Sequence, residues 1–151
     1  MAAEGPQLPT SLPDTDGASV PLWGGGATLL VLVPFAFSAV CTDEVHAWRT
    51  AFPRVRAGGS RLLVVSCDPV PALRAWREAE RLPFPVLSDF WPHGALASAL
   101  QAFDAHQGTA RRVSVLLDVA GQERWRVQSP PGRPRDVEEQ VRALDLVAAG
   151  P

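Results

Sequence analysis

The chain has 151 residues, of which 46% are apolar and 20% are charged, a balance typical of a globular domain and not of a disordered chain. The formal net charge of -2 and the scattered placement of the arginines predict no nucleic-acid-binding surface. The longest apolar stretch, residues 27–41, is too short to span a bilayer and follows no basic leader, so we expect a cytoplasmic protein without membrane contact.

The first predicted elements lie in a segment rich in proline and glycine, residues 1–26. A turn at Asp16–Gly17 separates two short extended pieces, which predicts an irregular arm or a small hairpin. Residues 27–33 follow as a continuous apolar run, typical of a strand buried on both faces. The ordered core is therefore expected to begin with a central strand.

A helical pattern follows Cys41. Asp43 and Glu44 are expected in its first turn, where acidic side chains interact favourably with the helix dipole. The apolar side chains at helical spacing are Val45, Trp48 and Phe52. We expect this face, including Trp48, to pack in the core.

Two further strand–helix pairs come next. Residues 61–68, "RLLVVSCD", and residues 84–89, "FPVLSD", predict buried strands. Helices are expected over residues 71–80 and 94–103.

The last third of the chain predicts a hairpin over residues 111–127, with its turn at Ala120–Gly121, then a loop and a final helix. One apolar face of that helix carries Val137, Val141, Leu144 and Val147. This order of elements predicts an α/β protein with a central mixed sheet flanked by helices, and it matches a thioredoxin-like architecture. We expect residues 1–151 to form a single domain.

Cys41 stands where the first buried strand hands over to a helix. A sulfur there would lie among unpaired backbone N–H groups at the positive end of the helix dipole, which favours a reactive thiolate. Buried cysteines are also common as inert core residues, so this position alone leaves both interpretations open.

The neighbours of Cys41 favour the reactive interpretation. Ser38 places a hydroxyl within reach of the sulfur, and Pro34 can shield it from water without adding a competing N–H donor. The spacing of Pro34, Ser38 and Cys41 matches Pro-x-x-x-(Thr/Ser)-x-x-Cys, and on this motif the chain resembles the peroxiredoxins.

The resemblance extends along the chain. It is closest to the one-cysteine peroxiredoxins of the alkyl hydroperoxide reductase E type of actinobacteria, especially in "LSDFWPHGA" within residues 84–104. It implies that Glu44 orients an arginine supplied by a later strand, and Arg112 in "ARRVSVLLD" is the match. Arg111 and Arg112 fall on opposite faces of a strand, so we expect Arg111 to be a solvated charge.

The resemblance implies a thiol-dependent peroxidase that reduces hydrogen peroxide and organic hydroperoxides. Cys41 would attack the peroxide and become a sulfenic acid, with Arg112, Ser38 and the backbone N–H of Cys41 binding the peroxide. No metal, haem or flavin is expected. An external thiol would reduce the sulfenic acid, and the resemblance implies mycothiol with a glutaredoxin-like protein, or a thioredoxin.

Cys67 leaves two interpretations open. It is either a small apolar residue ending a buried strand or a resolving cysteine for Cys41. His46, not a cysteine, stands five residues after Cys41, and the expected strand spacing separates the two sulfurs by more than a disulfide tolerates. We favour the structural role. Metal-ligand spacing is absent from the histidines, which are His46, His93 and His106.

For four further residues the sequence predicts a location or a structural role. The resemblance places Arg135 near the site, whereas a loop arginine is usually exposed. His93 matches the subgroup and is expected to have a structural or interface role. Phe37 and Trp91 are expected to line an apolar pocket mouth suited to bulky peroxides, and Trp91 is compatible with a homodimer.

Two alternative functions are compatible with this fold class. A thiol-disulfide oxidoreductase is disfavoured because the sequence contains no Cys-x-x-Cys. A peroxide sensor or interaction module on the same fold would be oxidised once, without turnover by any thiol donor.

Overall fold

A computed structural model describes residues 7–150. Its helices are α1 (Ala39–Ala57), α2 (Val70–Glu80), α3 (Ala95–Ala99) and α4 (Val137–Ala148). Its strands are β1 (Ser11–Pro13), β2 (Ser19–Pro21), β3 (Thr28–Leu32), β4 (Arg61–Ser66), β5 (Val86–Ser88), β6 (Phe103–Asp104), β7 (Thr109–Ala110), β8 (Val113–Leu117) and β9 (Glu123–Gln128).

The central sheet has the strand order β5-β4-β3-β8-β9. The strands β3, β4 and β5 are parallel, while β8 runs antiparallel to both β3 and β9. The predicted α/β, thioredoxin-like mixed sheet is therefore confirmed. The carboxyl ends of the three parallel strands lie at one edge of the sheet, which is where α/β folds place their ligands.

The sheet carries apolar side chains on both faces, which explains why the central strands read as continuous apolar runs. Leu29 and Val31 face a core layer shared with α1, α2 and α4, which also holds Trp48 as expected. Leu30 and Leu32 face the opposite layer, closed by α3 and by the N-terminal strands. The alternation of side chains along a strand thus divides the core into two layers.

The predicted hairpin of β8 and β9 is confirmed, and the N-terminal segment, for which an arm or a hairpin was open, forms a hairpin in its described part, while residues 1–6 lie outside the described residues. The strands β1 and β2 pair around a turn in which Gly17 has a φ of 80°. The strands β8 and β9 are joined by a turn that needs Gly121, because a Cβ there would lie 2.7 Å from a ring carbon of Trp23. The last helix packs its predicted apolar face against the core through Val141 and Leu144.

The helix predicted over residues 94–103 is shorter than expected. It ends at Ala99, and Gln101 adopts a left-handed φ of 57° that stops it. Phe103 instead begins a small β6–β7 hairpin and packs over Gly94, where a Cβ would lie 2.5 Å from its ring. This tertiary contact overrides the local helical pattern.

The prediction that the first turn of α1 contains Asp43 and Glu44 is also wrong. The helix starts at Ala39, so its first turn contains no acidic residue, and Glu44 is buried rather than solvated at the helix start. None of the helices in residues 7–150 is long and apolar enough to cross a membrane.

Candidate active site

Cys41 lies in the first turn of α1, at the edge of the sheet where β3 ends. Ser38 caps the helix, since its Oγ accepts a hydrogen bond from the Cys41 N–H at 3.3 Å. Cys41 is wholly buried, and its N–H is used by the cap in this structure. The sequence-predicted position of the sulfur at a helix start is therefore observed.

The loop between β3 and α1 is held by a residue that sequence reasoning missed. The carboxylate of Asp68, just after β4, accepts a hydrogen bond from the Ala36 N–H at 2.9 Å. Phe37 adopts a left-handed φ of 68°, and the Ser38 hydroxyl donates to the Phe35 carbonyl at 3.2 Å. The loop that carries Ser38 to the start of α1 is thus anchored to the neighbouring strand. No local signal in the sequence marks Asp68 for this contact.

Arg112 reaches the sulfur from the segment that enters β8. Its Nη1 and Nη2 each lie 3.6 Å from Cys41 Sγ, and the residue is 7% exposed. Arg111 is exposed, as the sequence predicted, but both arginines precede β8 and both line the pocket described below. Two guanidinium N–H groups therefore converge on one thiol.

Glu44 holds two buried arginines together. One of its carboxylate oxygens accepts a hydrogen bond from Arg112 Nη1, as expected for an orienting residue. The other accepts from Arg135 Nε at 2.9 Å and from the Arg135 backbone N–H at 2.8 Å. The structure thus resolves the open question on Arg135: it is buried beside the site.

These contacts set the charge state of the cluster. Burial by itself would raise the pKa of Glu44, but the hydrogen bonds and charge of Arg135, with the charge of Arg112, hold that pKa below its usual range. Glu44 is therefore ionised at neutral pH. Two guanidinium groups face one carboxylate, which leaves one positive charge in excess next to Cys41.

A pocket of about 430 Å³ is lined by Ser38 and Arg112, the two side chains that contact Cys41, whereas Cys41 itself is wholly buried and does not line it. Phe35 lines it, whereas the expected Phe37 and Trp91 do not, so that expectation is wrong. The other lining residues are Pro34, Ser38, Ala39, Val40, Asp104, Gln107, Thr109, Ala110, Arg111, Arg112, Gln128, Ser129, Pro131 and Gly132.

Comparison with known proteins decides the family. Residues 6–125 match the family model described as AhpC/TSA family. The chain belongs to this family. It is thus a peroxiredoxin, and its function is that of a thiol-dependent peroxidase, as the sequence motif predicted.

Among curated AhpC/TSA relatives, alkyl hydroperoxide reductase E of Mycobacterium tuberculosis is 34% identical over 126 residues, covering 83% of this chain and 82% of the relative. Peroxiredoxin 1 of Sulfurisphaera tokodaii is 30% identical over 128 residues, covering 80% of this chain and 59% of the relative.

Solved structures agree on the fold. AhpC of Enterococcus faecalis superposes with a TM-score of 0.83 at 23% identity, covering 95% of this chain and 91% of that one. Peroxidoxin BcpB of Mycobacterium tuberculosis gives 0.82 at 21% identity, covering 95% and 96% of the two chains.

Cys67 of this peroxiredoxin lies on the other side of the sheet from Cys41. Cys41 belongs to the core layer of α1 and α4, and Cys67 to the layer of α3. Burial, together with the charge of Asp89, raises the pKa of Cys67 to about 12. The Cys67 thiol is therefore protonated at neutral pH.

Two of the three histidines, His46 and His93, make structural side-chain contacts. His46 Nε2 lies 2.5 Å from a carboxylate oxygen of Glu80 and so joins α1 to α2. His93 contacts the carbonyls of Phe90 at 3.1 Å and Gly108 at 2.7 Å, which links the loop after β5 to the β6–β7 hairpin. The structural role expected for His93 agrees with these contacts.

Proposed function

We propose that Cys41 is the nucleophile of a one-cysteine peroxidase that reduces hydrogen peroxide and organic hydroperoxides. The observation that carries this assignment is the approach of both Arg112 Nη atoms to Cys41 Sγ, each at 3.6 Å. A guanidinium at this distance stabilises the thiolate and supplies fixed donors where charge develops on the peroxide. The pocket is far larger than hydrogen peroxide, which supports organic hydroperoxides as a second substrate class.

The reaction is a displacement on oxygen. The Cys41 thiolate attacks one peroxide oxygen, an S–O bond forms, and the O–O bond breaks. The departing oxygen takes a proton and leaves as water or alcohol, and the sulfur is left as a sulfenic acid. The Nε–H of Arg112 is buried without a hydrogen-bond partner in residues 7–150, which supports a donor role towards a bound peroxide.

The remaining site residues are assigned supporting roles. Ser38 holds the attacked peroxide by its hydroxyl, and Pro34 shields the sulfur without offering an N–H. Glu44 orients Arg112 through its carboxylate, and Arg135 in turn fixes Glu44. The charge excess of this cluster of Glu44, Arg112 and Arg135 lies beside the Cys41 sulfur, where the peroxide would react.

An external thiol completes the cycle. Cys67 is buried in the opposite core layer with its thiol protonated, which supports a structural role and leaves no resolving cysteine among the described residues. The external thiol attacks the sulfenic acid to give a mixed disulfide and water, and a second thiol then releases Cys41. We assign this role to mycothiol with a glutaredoxin-like protein, or to a thioredoxin, and the dependence on such thiols favours the reducing cytoplasm.

A homodimer and a single domain complete the proposal. Phe35, Phe37, Phe90 and Trp91 are exposed and follow β3 and β5, whose carboxyl ends share one edge of the sheet. Exposed aromatic side chains gathered at one edge support an interface with a second copy. One central sheet with a core layer on each face supports a single domain over the described part of the predicted domain, residues 7–150.

Intact mass after one equivalent of peroxide tests the proposal. A one-cysteine enzyme gives a product about 16 Da heavier that sulfenic-acid traps capture, and a thiol returns it to the starting mass. A Cys41–Cys67 disulfide would make the product about 2 Da lighter and invisible to such traps. Oxidation that no thiol reverses would indicate a sensor.

The Cys41→Ser variant is the control for the nucleophile. It should consume no peroxide and gain no mass, because a serine hydroxyl cannot replace a thiolate at neutral pH. Rapid peroxide turnover by this variant would show that another group carries the reaction.

A further inference from the structure

Two buried polar residues beyond the site meet across the core. Ser114 lies in β8 and shares with Leu116 the face towards α1 and α4, yet it is polar and wholly buried. Its hydroxyl donates to the Gln140 Oε1 of α4 at 2.6 Å, and Gln140 is 1% exposed. Buried polar groups of this kind persist only where their hydrogen bonds are satisfied.

The Ser114–Gln140 pair is hydrogen-bonded to Arg135, a member of the arginine cluster. Arg135 Nη1 donates to Ser114 Oγ at 3.1 Å, so this oxygen accepts from the guanidinium while its proton is held by Gln140. The Gln140 Nε2 donates to the carbonyl of Asp136 at 3.1 Å, which holds the amide in place. A serine hydroxyl rotates freely, and the Gln140 acceptor directs the Ser114 lone pairs towards Arg135.

Arg135 and Arg112 share one acceptor. Glu44 Oε1 receives both Arg112 Nη1 and, at 3.1 Å, Arg135 Nη2. Without Ser114, Arg135 Nη1 would be a buried charged donor in need of a partner, and Glu44 is the anion beside it. A shift of Arg135 towards Glu44 Oε1 would weaken the bond that orients Arg112 against Cys41.

We propose that Ser114 and Gln140 are positioning residues for the attack of Cys41 on peroxide, acting through Arg135. The inference rests on the proposed roles of Cys41 and Arg112. These hydrogen bonds form a relay, which runs from Gln140 through Ser114, Arg135 and Glu44 to Arg112. The final helix α4, which contributes no group to the pocket, thereby sets the geometry of the arginine beside the sulfur.

A matched pair of variants isolates the hydroxyl. Ser114→Thr and Ser114→Val add the same bulk to the core, but only Thr keeps the hydroxyl. The second-order rate constant of sulfenic-acid formation, measured by quenched flow with a trap, should be about three- to tenfold lower for Val than for Thr, the range for one net hydrogen bond. Urea unfolding of both variants separates this difference from a change in stability.

Two further variants keep the test decisive if the larger side chains disturb β8. Gln140→Met and Ser114→Ala, which add no bulk, should each slow sulfenic-acid formation by a similar factor. In an Arg135→Met background the difference between Thr and Val at position 114 should vanish, because the relay is cut.

Three outcomes would overturn the inference. Equal rates for Thr and Val, unchanged rates for Gln140→Met and Ser114→Ala, or a difference that persists without Arg135 would each do so. If Arg112→Ala still slows the reaction in these cases, the proposed function stands and only the relay is rejected. If Arg112→Ala leaves the rate unchanged, the proposed role of Arg112 and the relay fail together.

Discussion

At the scale of single residues, reactivity follows from which charges surround a thiol. Cys41 faces the guanidinium of Arg112, and the cluster behind it carries one excess positive charge. Cys67 lies in an apolar layer, where burial raises its pKa to about 12. The same side chain thus has two environments, and only that of Cys41 places guanidinium N–H groups against the sulfur.

Removal of the Arg112 side chain should slow sulfenic-acid formation by about 100- to 1,000-fold, the usual cost of losing preorganised donors at a reacting oxygen. Arg112→Lys should restore little, since a point charge lacks the two-pronged geometry. The control is Arg111→Ala, at the exposed neighbouring position. Its rate of sulfenic-acid formation, measured by stopped flow, should be close to that of the wild type. A larger effect at Arg111 than at Arg112 would reverse the assignment.

Cys67 should make stability fall at alkaline pH. The folded protein keeps this proton up to about pH 12, whereas the unfolded thiol releases it near about 8.5. The stabilisation is therefore fully present below about pH 8.5 and declines as pH rises above that value. Urea unfolding between about pH 7 and 10.5 should show this decline.

The Cys67→Ala variant is the matched comparison. It should abolish that alkaline decline, cost about 1 kcal/mol at neutral pH through lost apolar contacts, and leave peroxide reduction by external thiols nearly unchanged. An unaltered alkaline slope would assign the effect to another group.

At the scale of elements, the start of α1 performs two tasks at once. Ser38 both caps the helix at Cys41 and lines the pocket, together with Arg112. Asp68 anchors the preceding loop at Ala36, so the helix start and the end of β4 form one unit. The position of the sulfur therefore depends on the cap and on a neighbouring strand.

Substitution of Ser38 can separate these tasks. Ser38→Ala should lower the free energy of unfolding by about 1 kcal/mol, whereas Ser38→Gly, a tolerated cap, should lower it by only a few tenths. Both variants should slow sulfenic-acid formation, because neither offers a hydroxyl to the peroxide. Recovery of the rate in the Gly variant would reduce Ser38 to a capping role.

At the scale of the whole molecule, exposed aromatic side chains collect at the sheet edge that holds Cys41. Trp91 is 81% exposed on the loop after β5, and Leu146 is 76% exposed on α4, away from that edge. Both are large apolar groups that a monomer would leave in water. Of the two, only Trp91 lies where the proposed dimer contact would form.

Sedimentation velocity can test this arrangement. Trp91→Arg should shift the protein from dimer to monomer, and Leu146→Arg, of nearly equal exposure, should leave the dimer intact. A wild-type chain that sediments as a monomer would contradict the proposed homodimer.

Much of the fold followed from local pattern alone. Continuous apolar runs marked β3 and β4, and the change to helical spacing after Cys41 marked α1. The family resemblance followed from the motif of Pro34, Ser38 and Cys41 together with "LSDFWPHGA" and "ARRVSVLLD", and the family model confirms it. Such features are set by hydrogen bonds and side-chain spacing within a few residues, so sequence order reveals them.

Only the tertiary structure decided which distant groups meet. Arg135 reaches Glu44 across 91 positions, and its burial contradicts the usual behaviour of a loop arginine. The face of the sheet taken by Cys67, the anchoring by Asp68 and the relay through Ser114 depend likewise on packing of separate elements. Sequence periodicity says which side chains are buried, but contacts between elements arise from how whole layers pack, which no local pattern encodes.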